Sequence, residues 1–240
     1  MKLLLFILSI CFVSASDIRV MTYNLLNFSD DDNREMHYIS ILESVLPDLI
    51  VVQEVVGQTG FTHFQSDVLD VFQNGQWSGA PFINQSAQQD IALFFKHDIF
   101  SFISTGAVGT AQSSGTRDVI EWLMVHNMSE IEFTIYGVHL KASSGSSNAE
   151  QRLAEATVLR QHLNNLSNSY FIVAGDFNIY SNSASTEPAF NMLTGESDNN
   201  IGRLFDPIDR IGNWHNNSSF SDVHTQSPRT ASFGGGANGG

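Results

Sequence analysis

Short apolar runs recur along this chain, and several break at a polar residue able to do chemistry. Ile18-Arg19-Val20-Met21-Thr22-Tyr23 alternates with the period of a half-buried strand and ends at Asn24. Asp48-Leu49-Ile50-Val51-Val52 is a denser run that ends at Gln53-Glu54, and residues 131–138 lead to His139. Tyr170-Phe171-Ile172-Val173-Ala174 breaks at Gly175 and then delivers Asp176 and Asn178. Alternate residues of a strand share a face, so that carboxylate and carboxamide meet one site if the extended geometry persists past the glycine. Further strands are predicted over 91–95 and 119–125. Between them the spacing turns helical. Residues 35–46 place Ile39, Leu42 and Leu46 on one face before Pro47, and 61–72 is a second candidate helix. The third carries the clearest stripe, Leu153, Ala156, Leu159, Leu163 and Leu166, with Asn148 and Gln151 spaced as a capping box. Helices alternating with strands predict an α/β domain.

A carboxylate can hold a metal or orient a water, and an amide can donate to an oxyanion. A polar turn after a buried strand is the ordinary reading of any one of these ends, because Gly, Asp and Asn are routine there. Four such ends in one chain, at Asn24, Glu54, His139 and Asp176, outweigh that reading.

Met21-Thr22-Tyr23-Asn24-Leu25-Leu26, Val51-Val52-Gln53-Glu54-Val55, Gly137-Val138-His139-Leu140-Lys141-Ala142 and Gly175-Asp176-Phe177-Asn178 follow one another in that order. Together they resemble the successive motifs of the endonuclease/exonuclease/phosphatase superfamily. That superfamily includes pancreatic deoxyribonuclease, abasic-site endonucleases, inositol-polyphosphate phosphatases and bacterial sphingomyelinases. The resemblance runs from about residue 17 to the C-terminus, and Gly-Asp-Phe-Asn is its most specific element. It implies a four-layer sandwich, two packed mixed β-sheets flanked by helices.

The resemblance also implies roles. Glu54 is expected to ligate Mg²⁺, or Mn²⁺ or Ca²⁺ in its place, with Asn24 beside it as ligand or orienter. His139 is expected to contact the scissile phosphate, Asp176 to orient or deprotonate the attacking water, and Asn178 to stabilise the phosphorane oxygens. Asp90 stands where relatives place an acid that pairs with this histidine, although a simple strand cap explains it as well. Arg117 stands where some relatives have a phosphate-contacting arginine; the alternative is a solvated loop arginine. The pattern departs from the family at the end. Relatives close with an Asp-containing strand and a final Ser-Asp-His, whereas this sequence runs out in a glycine-rich stretch at 232–240. Ser221-Asp222-Val223-His224 carries an extra residue and precedes that stretch, so it is read as a loop. The expectation is a domain incomplete at its C-terminus, short of its last strands and of the acid-paired histidine that serves relatives as general base.

Composition fits one folded domain: 240 residues, 42% hydrophobic and 15% charged. The N-terminus reads as an export leader, with Lys2, an apolar run at 3–13 and Val13-Ser14-Ala15 as cleavage site. A leader at 1–15 and a mature domain at 16–240 are therefore expected, secreted or periplasmic, without a transmembrane segment. The only cysteine, Cys11, falls in the leader, so the mature chain has no disulfide to rely on. A formal net charge of -14 argues against a tight, scanning DNA binder. It leaves room for a hydrolytic nuclease, because a bound divalent cation supplies local positive charge.

The function expected is a secreted, Mg²⁺-dependent phosphoesterase acting on phosphate esters, nucleic acid among them, most simply a monomeric nuclease-like phosphodiesterase. One alternative is a sphingomyelinase-like lipid phosphodiesterase, which should show an exposed aromatic hairpin that is not evident in the sequence. The other is a noncatalytic exported binding module of the same fold.

Overall fold

The computed structural model describes residues 17–30, 33–87, 89–113, 115–167 and 170–223. The expected leader, His224 and the glycine-rich end lie outside the described residues. Two four-stranded sheets form the centre of the molecule. The first holds β1 (Val20–Phe28), β2 (Leu49–Val55), β3 (Trp77–Gly79) and β4 (Asp90–Lys96) in the order β1-β2-β4-β3. The second holds β5 (Phe100–Val108), β6 (Val119–His126), β7 (Ile131–His139) and β8 (Phe171–Asp176) in sequence order. β1 runs parallel to β2 and β7 parallel to β8, while the other pairings are antiparallel. Both sheets are thus mixed, as expected.

The continuous apolar runs of β2 and β4 are explained by burial on both faces. Leu49, Val51, Ile91, Leu93 and Phe95 point inward and meet Phe100, Ile120, Trp122, Met124 and Ile135 of the second sheet. Ile50, Val52, Ala92 and Phe94 point outward, against Tyr38, Ile39 and Leu42 of α1 (Glu35–Val45) and against the helical stretch at 57–72. That stretch is α2 (Gly57–His63), a π-helical segment (Phe64–Leu69) and α3 (Asp70–Phe72). On the far side, Tyr136 and Val138 of β7 pack against Ala156, Leu159 and Leu163 of α4 (Ser146–Asn164), and against Ala189 and Leu193 of α5 (Pro188–Thr194). Helices, sheet, sheet and helices make the four layers.

Local detail departs from the sequence pattern in three places. α1 ends one residue early, at Val45, because Leu46 takes a left-handed φ of 52° and its N–H returns to Leu42 O before Pro47. α4 begins at Ser146, so Asn148 and Gln151 form no capping box. Instead Asn148 Nδ2 donates to Ser144 O at 2.8 Å and Gln151 Nε2 to Ser113 Oγ at 3.0 Å. The buried face of α4 also includes Arg152, Glu155 and Arg160, three charged residues that the apolar stripe does not announce. Strands β3 and β5 and helix α5 carry no pattern distinct enough to be predicted.

Candidate active site

The C-terminal ends of β1 and β2 lie side by side because the two strands are parallel, with Asn24 opposite Gln53. Just beyond this pairing both strands lose register. Leu26 and Asn27 take left-handed φ values of 53° and 54°, and Glu54 takes 62°. For non-glycine residues such angles cost of order 1 kcal/mol each. The irregularity is what aims the Asn24 and Glu54 side chains at one place.

There, Asn24 Nδ2 donates to Glu54 Oε1 at 2.9 Å and to Asp176 Oδ2 at 3.1 Å. Asn24 Oδ1 accepts from Leu26 N at 2.9 Å, which fixes the orientation of the amide. Glu54 Oε2 accepts from Asn27 N at 3.1 Å and from Gln89 Nε2 at 3.4 Å. One amide therefore bridges a carboxylate from each sheet.

Asp176 is the last residue of β8, and the register pairs it with His139 at the end of β7. Gly175 makes this close approach possible: its φ is +148°, and a Cβ there would strike the carbonyl oxygen of Val138. Extended geometry does not continue past the strand. Asn178 has a left-handed φ of 50°, its N–H donates to Asp176 Oδ1 at 3.0 Å, and its Nδ2 donates to Leu140 O at 3.1 Å. Asp176 and Asn178 are thus brought together by an Asp-centred turn, not by strand alternation. One amide N–H of Asn178 is spent on the backbone, and the other remains to meet a substrate oxygen.

His139 Nε2 stands 3.9 Å from Asp176 Oδ2, and the imidazole is buried at 5% exposure. Burial, then the nearby Arg117 guanidinium, lowers its pKa to about 4, with Asp176 opposing. At neutral pH it is an uncharged ring. Arg117 Nη1 donates to His139 O at 3.3 Å and Nη2 to Gln89 Oε1 at 3.4 Å. Burial lowers the pKa of Arg117, and Glu54, Asp90, Glu155 and Asp176 all act to keep it charged. It is a held cation among carboxylates, not a solvated loop arginine.

Asp90 is fully buried at the start of β4, and its Oδ1 accepts from Gln85 N at 3.1 Å. Burial raises its pKa to about 6, against the Gln85 hydrogen bond and Arg117. The pairing with His139 expected from the family is not made: no hydrogen bond or ion pair joins them, and His139 Nδ1 and Asp90 Oδ2 are both buried without a partner. A neutral imidazole offers Asp90 no charge, and Arg117 supplies the cation it feels.

Several supporting residues escaped the sequence pattern. Gln89 and Asn27 grip Glu54. Glu155 Oε2 accepts from Lys141 N at 2.8 Å, and Arg152 Nη1 donates to Lys141 O and Ser143 O, both at 2.8 Å. Helix α4 thereby clamps the chain just beyond His139. Arg152 is itself paired with Glu187 at 2.5 Å. The one available signal was that Arg152 and Glu155 fall on the same helical face as Ala156 and Leu159.

The donor set fits a hard divalent cation. Glu54 Oε1 and Asp176 Oδ2 converge on a single amide nitrogen, and each retains acceptor capacity beyond that bond. Among the described residues no three His, Cys, Asp or Glu side chains converge as a metal cage. Two carboxylates without such a cage suit a cation that keeps most of its waters. Asn24 presents N–H, not oxygen, to this position, so in this geometry it orients the carboxylates.

A model of the endonuclease/exonuclease/phosphatase family matches residues 21–230. The chain belongs to that family. Solved structures agree on the fold. The catalytic domain of human Nocturnin, determined with a bound sulfate anion, superposes at a TM-score of 0.56, with 22% identity over 75% of this chain and 70% of that one. A mannosyl-6-phosphatase from Bacteroides thetaiotaomicron gives 0.55, at 15% identity over 73% and 69% of the two chains. TDP2 from D. rerio, complexed with a single-strand DNA product, gives 0.52, at 15% identity over 71% and 64%. At these identities the likeness is one of fold. No curated protein matches the sequence.

Proposed function

We propose that this member of the family is an exported, Mg²⁺-dependent phosphoesterase, with a phosphodiester of the nucleic-acid kind as its substrate. The observation that carries the reading is the Asn24 amide bridging Glu54 and Asp176, with His139 and Arg117 at hand. Export rests on the leader pattern at 1–15.

Glu54 and Asp176 would hold the cation, which supplies charge neutralisation at a phosphoryl oxygen and an acidified water. Arg117 binds a phosphate oxygen through its guanidinium, which the surrounding carboxylates keep protonated. His139, neutral at physiological pH, donates one N–H toward the reacting phosphoryl group. Asn178 donates its remaining amide N–H to a neighbouring oxygen. Asp176 orients the attacking water and accepts its proton.

A lipid phosphodiester is the second reading. Phe205, Ile208 and Ile211 are 77%, 60% and 50% exposed on the stretch between Leu204 and Gly212, apolar side chains that a lipid interface would take up, with Asp206, Asp209 and Arg210 set between them. The test is hydrolysis of DNA, RNA, sphingomyelin and a phosphomonoester, with Mg²⁺ and with a chelator, by the wild-type chain and by Glu54→Gln. Mg²⁺-dependent cleavage of nucleic acid that the variant loses is expected. Turnover that survives chelation rejects the cation, and cleavage of sphingomyelin alone selects the lipid reading.

A further inference from the structure

Gln89, in the loop ahead of β4, reaches two arms of the site at once. Its Nε2 donates to Glu54 Oε2 at 3.4 Å and also to Asn27 Oδ1, while its Oε1 accepts from Arg117 Nη2 at 3.4 Å. The same loop grips the segment that carries the arginine. Gln85 Oε1 accepts from Asp118 N at 2.7 Å, and Gln85 Nε2 donates to Asp118 O at 3.2 Å. One glutamine thus fixes the backbone beside Arg117 and the other its guanidinium.

An amide is the group that meets both demands, because it donates at one end and accepts at the other. A carboxylate in its place would accept from Arg117 and repel Glu54. An ammonium would do the reverse. The need for a spacer is plain from the charges: Glu54 is the carboxylate that acts most strongly on Arg117. Left alone, the two would close into a direct salt bridge. That bridge would occupy both the carboxylate meant for a cation and the guanidinium meant for a phosphate.

We infer that Gln89 is a positioning residue that holds Glu54 and Arg117 apart, so that a divalent cation and a phosphate oxygen each find their partner free. The inference rests on the phosphoesterase reading of the site. Its readout is binding, not turnover, so the two fail separately.

The experiment is calorimetric titration of the full chain with magnesium chloride and, separately, with inorganic phosphate. Wild type, Gln89→Met and Gln89→Glu are compared, and circular dichroism and melting confirm the fold of each. Gln89→Met keeps the length and loses all three hydrogen bonds, so affinities for both ions should fall together by about tenfold. Gln89→Glu sets a carboxylate directly on Arg117, as the closed salt bridge would, so phosphate affinity should fall by about tenfold or more while Mg²⁺ affinity, helped by the added charge beside Glu54, rises. This opposite response is not expected of a residue that merely packs the loop. Unchanged affinities in Gln89→Met, or equal losses of Mg²⁺ affinity in both variants, overturn the role. If Gln89→Met does not fold, Gln89→Glu against wild type decides: an unchanged phosphate affinity overturns the role and a fall sustains it. A wild-type chain that binds neither ion overturns the phosphoesterase reading, and this inference with it.

Discussion

The guanidinium of Arg117 donates to the main-chain carbonyl of His139 at 3.3 Å, which sets a buried positive charge beside an imidazole whose protonation it opposes. The two residues come from different strand ends of the second sheet, one entering β6 and one leaving β7. Antiparallel pairing of those strands puts the start of one next to the end of the other. The electrostatics of the site thus follow from the ladder. The arginine proposed to bind phosphate also opposes protonation of its neighbouring histidine, in the same sense as burial.

Arg117→Gln should therefore raise the pKa of His139 from about 4, yet leave it below the usual 6.5 because burial is the larger cause. Asp176→Asn should lower it further, since that carboxylate is the group that favours the proton. Titration of the His139 ring protons by NMR reads both. For stability the sign is fixed: a depressed histidine pKa means that the unfolded chain binds the proton more readily. This contribution is present above about 6.5 and is lost as pH falls toward 4. A His139 pKa that ignores both substitutions would place Arg117 and Asp176 outside its field.

Asp90 acts in the opposite sense. Its pKa of about 6 lies above the ordinary carboxylate value, so the folded state binds this proton more readily than the unfolded one. It costs stability above pH 6, and that cost fades as pH falls toward 4. Asp90→Asn keeps an oxygen for Gln85 N and removes the charge. The variant should be more stable than wild type at pH 7.5, by up to about 3 kcal/mol. The gap should close toward pH 4, and the His139 contribution should then show as a steeper acid loss. Urea unfolding across pH 4–8 measures this; a variant less stable than wild type at pH 7.5 contradicts it.

Much of this site was legible because strand ends are local events. Asn24, Glu54, His139 and Asp176 each follow an apolar run, and parallel pairing of β1 with β2 and of β7 with β8 collects them. The conformation after each end was not legible. Glu54 and Asn178 take left-handed angles that no propensity predicts, and these angles set where their side chains point. Buried charges were hidden for a related reason. Arg152, Glu155 and Arg160 look like a solvated helix face until the backbone groups they pair with are in place, carbonyls for the two arginines and the Lys141 N–H for Glu155. Gln89 gave no signal, because a polar residue in a polar loop becomes distinctive only through its partners.

Glu54→Gln tests the carboxylate that the irregular ends of β1 and β2 aim into the site. Both of its oxygens accept N–H donors, from Asn24 on one side and from Asn27 on the other. An amide must turn its NH₂ toward one of them, a mismatch of about 1–3 kcal/mol. The fold should survive with a lower melting temperature. Loss of the charge should remove measurable Mg²⁺ binding and lower cation-dependent hydrolysis roughly a thousandfold. Calorimetry and rates at limiting Mg²⁺ are the measurements, and an unaltered rate there would take Glu54 out of the site.

Gly175→Ala probes the join between the two halves of the candidate site. Its Cβ would fall on the carbonyl oxygen of Val138, a backbone atom of the neighbouring strand that has no rotamer to yield. Relief requires β7 and β8 to shift, and that shift would move Asp176 relative to His139, its partner in register. The expected loss is about 3 kcal/mol or more, together with a His139 pKa displaced from its wild-type value. Gly57→Ala is the control. Gly57 also has a positive φ, +65°, but nothing lies within 4 Å of the added methyl, so only the conformational cost remains, about 1 kcal/mol. Chemical denaturation of both variants separates clash from conformation. Equal losses would show that left-handed strain alone explains Gly175, and that the close approach of β8 to Val138 does not constrain Asp176.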